Sequence, residues 1–232
     1  MTGNLQLSKI TAVNSCETAN SSTVSLSVSP TSVGGTVSLA QTICTGTSPA
    51  DLTLNSQVGN VVKWQKSSDM IFSSPVDIVS TTTTLTSTVI GTLTANTYFR
   101  AVVKSGVCNE TFSEAVLITV NPLPTAVISG EMRVCQNSSS PNISFTGANA
   151  MAPYTFTYKI NDGAVQTVKT TSSNSVTVAV PTGVAGAFTY TLLSVSESSS
   201  TTCSQEQTGS ATVTVNPLPT AVISGEMRVC QN

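Results

Sequence analysis

Residues 121–137 and residues 216–232 read the same seventeen letters, NPLPTAVISGEMRVCQN, 95 positions apart. An identity of that length marks duplication of a domain-sized unit, so the chain must fold as a series of similar bodies. A fainter frame runs through the whole sequence. Cys16, Cys108 and Cys203 stand 14 residues before Pro30, Pro122 and Pro217. Between each Cys and its Pro lies an alternating apolar run: Val24, Leu26, Val28; then Val116, Ile118, Val120; then Ala211, Val213, Val215. Period-2 alternation is the pattern of a half-buried strand, and a proline at its end cannot continue a central ladder.

The frame predicts four pieces. Residues 1–30 are the closing strands of an earlier repeat, 31–121 and 122–216 are two complete repeats, and 217–232 begin another. The opening MTGNLQLSKITAV has no basic start followed by an apolar block, which this parse explains by placing it inside a longer array. No apolar run approaches the ~20 residues of a membrane-spanning helix, so no membrane insertion is expected.

Strand-like runs recur at the spacing expected of a β-sandwich. They fall near 35–39, 61–66, 85–90, 97–104 and 115–120, and again near 125–129, 143–145, 154–160, 164–169, 175–180, 187–195 and 210–215. Asn161-Asp162-Gly163 suits a tight hairpin turn. Trp64 is expected in the first core, sharing a face with Val62, and Tyr98 and Tyr190 stand where a tyrosine corner would. The expected fold is all-β, a tandem of immunoglobulin-like sandwiches joined by short Pro-containing linkers.

Composition narrows the function. The chain has no His, and charged residues make up 9% of it, with a net charge of −2. Triads, His-ligated metals and ordinary neutral-pH acid–base chemistry are therefore missing, and nucleic acid has no electrostatic footing. No Ser stands three residues before any Lys, and Asp51, Asp69, Asp77 and Asp162 are isolated. The chain reads as a non-enzyme. No cofactor motif is present; calcium on scattered loop oxygens is the one option left open.

Two features remain as candidate sites. Cys44 and Cys108 fall in one complete repeat, and Cys135 and Cys203 in the other, which predicts disulfides Cys44–Cys108 and Cys135–Cys203. Cys16 and Cys230 are then unpaired within the chain. The alternative is a set of buried free thiols. Tyr154, Phe156 and Tyr158 alternate onto one face, either as core or as a platform for sugar rings. The run Ser80 to Thr84 and the sequons at Asn20, Asn109, Asn137 and Asn142 read as solvated surface.

PTSVGGTVSLAQTICTGTSPADLTL, GNVVKWQKSSD and LTANTYFRAVVKSGVC resemble an Ig-like repeat of very large secreted proteins of flavobacteria. RVCQN, PYTFTYKINDG, AFTYTLLSV and the late Cys203 resemble the PKD-like repeat that accompanies it. Together they are similar to the repetitive region of gliding-motility adhesins of the SprB type. That resemblance implies export by type IX secretion, an extracellular place on the cell surface, and neighbouring repeats of the same polypeptide as partners, with surface polysaccharide as a further one. The function it implies is a structural or adhesive stalk. The alternative is a carbohydrate-binding accessory module of a secreted polysaccharide-degrading enzyme.

Overall fold

A computed structural model describes residues 28–228, 230 and 231. Cys16 and the expected strand at Val24 and Leu26 lie outside the described residues. No described helix is long and apolar enough to cross a membrane.

Nine strands build the first sandwich: β1 Thr36–Val37, β2 Gln41–Cys44, β3 Leu52–Asn55, β4 Asn60–Ser67, β5 Val76–Ile78, β6 Thr84–Leu85, β7 Thr97–Lys104, β8 Thr111–Phe112 and β9 Val116–Asn121. One sheet has the order β1-β3-β6. The other has the order β2-β9-β7-β4-β5, with β8 beside β7. The run expected at 85–90 is a strand only to Leu85. It then closes as one helical turn, α1 Ser87–Ile90, which drops Ile90 into the core.

The second sandwich repeats this plan strand for strand. It uses β10 Thr125–Ser129, β11 Met132–Cys135, β12 Asn142–Ala148, β13 Tyr154–Ile160, β14 Val165–Lys169, β15 Ser175–Ala179, β16 Gly186–Glu197, β17 Ser204–Glu206 and β18 Ser210–Asn216. Its sheets run β10-β12-β15 and β11-β18-β16-β13-β14, with β17 beside β16. In both bodies the opening segment is shared between the two sheets. Its first part pairs antiparallel in the small sheet, and its second part pairs parallel with the last strand of the large one. This is an immunoglobulin-like arrangement.

Each body has its own core. In the first, Trp64 is fully buried on β4 with Leu52, Leu85, Phe99 and Ile118, and its indole N–H donates to the Thr82 carbonyl at 3.0 Å. Val62 does not share that face: it is 37% exposed, and Val61 is buried instead. The ladder steps from Val61↔Val103 to Lys63↔Val102, so Val62 is the extra residue of a β-bulge. A bulge inserts one residue and swaps inside for outside upstream of itself.

In the second core Phe145 of the small sheet packs between Phe156 and Tyr158 of the large one, with ring centroids 5.7 and 5.0 Å apart. Tyr154, Phe156 and Tyr158 are thus wall-to-wall core, and a buried row offers no face to a sugar ring. The Tyr190 ring stacks on Tyr158. The hydroxyl that donates to backbone here belongs to Tyr154, on the Ala150 carbonyl. The hairpin at Asn161-Asp162-Gly163 forms as expected, with Asn161 at φ 49° and the Gly163 amide on the Ile160 carbonyl at 2.9 Å.

The cysteine pairing departs from expectation. Cys44 is bonded to Cys203, across the two sandwiches, with Cα atoms 5.6 Å apart. Cys108 and Cys135 are free thiols. The reason is the direction of the strands. Cys44 lies opposite Asn121 at the end of β9, whereas Cys108 lies past the far end of β7, which runs back the whole length of the sheet. At about 3.3 Å per residue the two are roughly 30 Å apart. Cys135 lies opposite Asn216, and Cys203 follows the other end of the 12-residue strand β16, so they are equally distant. A disulfide needs Cα atoms within about 7 Å. Each sandwich therefore carries one cysteine at each pole.

Candidate functional site

Between β9 and β10 only Pro122-Leu123-Pro124 intervene. The poles that meet there hold Cys44 and Cys203. On the first sandwich, β2 runs parallel to β9 and delivers Cys44 beside Asn121. A tight turn follows: the Thr45 amide donates to the Asn121 carbonyl at 2.8 Å, and the Thr47 amide to the Cys44 carbonyl at 3.1 Å. Gly46 sits at φ 82°, with its amide on the Leu93 carbonyl.

On the second sandwich the Ser/Thr tract 198–202 forms a closed loop around one carboxylate. Glu197, 4% exposed, accepts from the Cys203 amide at 2.8 Å and from the Ser199 amide and hydroxyl at 2.5 Å each. The Glu197 amide returns a bond to the Cys203 carbonyl at 3.0 Å. Burial raises the Glu197 pKa, but hydrogen bonds from the Ser199 hydroxyl and from the Cys203 and Ser199 amides outweigh it. The net direction is below the ordinary glutamate value. The loop thus grips the backbone of Cys203 on both its amide and its carbonyl.

Asn121 spans the joint. Its carbonyl serves the first sandwich, and its side-chain amide donates to Ser199 and Thr201 of the second at 3.3 and 3.0 Å. Beside it a cavity of about 150 Å³ is lined by Asn121, Pro122, Ala150, Met151, Glu197 and Ser199. The arrangement is a covalent staple backed by a polar latch.

Replacing Glu197 by Gln keeps the shape but puts an amide donor where two oxygens accept. The expected cost at neutral pH is about 2 kcal/mol in unfolding of the second sandwich. The folded state holds this carboxylate less protonated than the unfolded state does. Its contribution is therefore complete above the unfolded value and is lost as pH falls through the lower folded one. Denaturant melts should show the wild type losing more stability than E197Q between neutral pH and the acid range. Equal losses would show that Glu197 carries no acid-sensitive role.

The isolated aspartates all have structural partners. Asp51 accepts from the Ser87 amide at 2.7 Å, Asp69 from the Ser73 amide and hydroxyl, Asp77 from Lys63 at 2.6 Å, and Asp162 lies 3.9 Å from Lys159. Among the described residues, no three Cys, Asp or Glu side chains gather as a metal site. A groove of about 390 Å³ in the first sandwich is lined by Lys66, Thr92, Thr97 and their neighbours, without a carboxylate.

A sequence-family profile described as a domain of unknown function (DUF8696) matches residues 33–122. That stretch takes in every strand of the first sandwich. No curated protein matches the chain. Among solved structures, a Ca2+-stabilized ice-binding adhesin of an Antarctic bacterium is similar at 14% identity and TM-score 0.41, over 82% of this chain and 51% of that one. A 1.5-MDa bacterial ice-binding adhesin aligns at 14% identity and TM-score 0.42, over 80% and 66%. The Yersinia pseudotuberculosis adhesin InvE aligns at 15% identity and TM-score 0.32, over 78% and 58%. The chain spans about half the length of the first of these structures.

Proposed function

We propose that the chain is a stalk segment of a long, repetitive, extracellular cell-surface protein, with the sandwiches acting as spacers rather than as catalysts. The division into repeats at 31–121 and 122–216 belongs to this reading. So do the surface adhesin role, export by type IX secretion and the gliding-motility kind suggested by the sequence motifs. One observation carries it: the disulfide joins two sandwiches instead of closing either core. A bond between bodies closes neither core, but it limits what a joint can do under load.

The staple encloses a sequence separation of 159 residues. When the ends are pulled, force crosses from Cys44 to Cys203 and bypasses everything between them. Reduction should therefore release about 550 Å of extra contour length, at about 3.5 Å per residue. Single-molecule pulling with and without a thiol reductant measures this directly. Equal extension in both conditions would end the stalk reading. Selective, saturable retention of the chain on a polysaccharide column would favour the accessory-module alternative instead.

A further inference from the structure

The two free poles of the pair are built like the two that are joined. At the far pole of the second sandwich, β11 runs parallel to β18 and sets Cys135 opposite Asn216, as β2 sets Cys44 opposite Asn121. The turn after it is the same. The Gln136 amide donates to the Asn216 carbonyl at 2.8 Å, the Ser138 amide to the Cys135 carbonyl at 3.1 Å, and the Asn137 amide to the Thr182 carbonyl at 2.9 Å, with Asn137 at φ 64°. Each bond has its counterpart at Thr45, Thr47 and Gly46. Cys135 is exposed.

At the near pole of the first sandwich, Cys108 lies between β7 and β8 as Cys203 lies between β16 and β17. It faces the incoming chain: its Sγ is 3.3 Å from the Pro30 carbonyl oxygen and 3.7 Å from that of Ser29. Pro30 occupies the frame position of Pro122, the proline of the stapled joint. After β18 the chain runs into Asn216-Pro217-Leu218-Pro219, letter for letter the stapled linker.

We propose that Cys135 and Cys108 are the next rungs of a disulfide ladder, each completed by a further sandwich of this kind. Cys135 pairs with the cysteine at the Cys203 position of a following repeat. Cys108 pairs with the cysteine at the Cys44 position of a preceding one. The rule is one bond per joint, from the exit pole of one body to the entry pole of the next. It extends the stalk reading and rests on the repeat array. In each rung two thiols lose two protons and two electrons to a disulfide oxidant. With oxidised glutathione, one thiolate attacks to give a mixed disulfide and release one glutathione. The second thiolate then displaces the other glutathione.

The 17-residue identity makes the test direct. Adding a copy of residues 138–216 after Asn232 completes a third sandwich, because residues 217–232 already repeat 122–137. The extended chain is refolded with oxidised and reduced glutathione, alkylated and mapped without reduction. Expected is a cross-linked peptide joining Cys135 to the appended cysteine at the Cys203 position, with about a tenfold fall in Cys135 alkylation relative to the original chain. The bond should persist in the C44S variant, since the rungs are independent. A folded third sandwich, judged by amide exchange, with Cys135 still fully alkylated would overturn the ladder. Should the appended copy not fold, the same map on the polypeptide isolated intact from its source decides. Flanking repeats with Cys135 and Cys108 as thiols refute the ladder, whereas a lack of flanking repeats refutes the array.

Discussion

Replacing Cys203 with serine is expected to cost the second sandwich about 4 kcal/mol. When that body unfolds alone, its chain stays pinned at Pro122 by the first sandwich and at Cys203 by the staple. The closed loop is about 80 residues, and in the chain-entropy model a loop of that size is worth about 4 kcal/mol. In a body of roughly 90 residues this corresponds to a fall in melting temperature on the order of 20 °C. The first sandwich is pinned in the same way, at Cys44 by the staple and at Pro122 by the second sandwich, and that loop is also about 80 residues, so it should lose about as much. Calorimetry of wild type, C203S and C44S gives the answer, and both variants should lower the transitions of both sandwiches alike. A wild-type profile in either variant would mean that the staple does not restrain the unfolded chain.

The second large effect is expected from F156A, at about 3–5 kcal/mol. Phe156 is fully buried, with ring centroids 5.7 Å from Phe145 across the sandwich and 6.2 Å from Tyr154 along its own strand. Truncation leaves a cavity between sheets whose backbones are held by ladders on both sides of β13, so collapse into it is limited. Chemical denaturation followed by tyrosine fluorescence measures the loss. A variant with wild-type stability and weakened polysaccharide binding would move this row from the core to a ligand site.

Much of this architecture is legible in the residues. Alternation at Tyr154, Phe156, Tyr158 and at Val116, Ile118 places strands and picks their inward faces, because side chains alternate sides in any extended backbone. The proline frame and the 95-residue repeat predict two bodies of one kind, and their strand orders match. Other elements were not legible. The β2 segment QTIC and the β11 segment MRVC are too short to stand out. Their parallel pairing with the last strand is a long-range choice that no local pattern encodes. The bulge at Val62 reverses two residues of an apparently regular run. The tract at 198–202 carries no expectation from the sequence, yet it wraps a buried glutamate. An acidic residue ahead of a Ser/Thr run and a cysteine was the available signal.

The clearest division comes from the repeated segment itself. Thr125–Ser129 and Met132–Cys135 are strands, whereas the identical letters at 220–231 form no strand among the described residues, with Val222 and Ile223 at 88% and 100% exposed. The sequence by itself determined that runs such as 116–120 and 154–160 are strands and which of their faces turn inward, because those depend on local stereochemistry and burial. Only the tertiary structure decided whether the repeated segment forms strands and which cysteine meets which. A strand needs the hydrogen bonds of partners such as β12 and β18, and a disulfide needs two sulfurs brought to one pole by antiparallel strands that run the full length of a sheet.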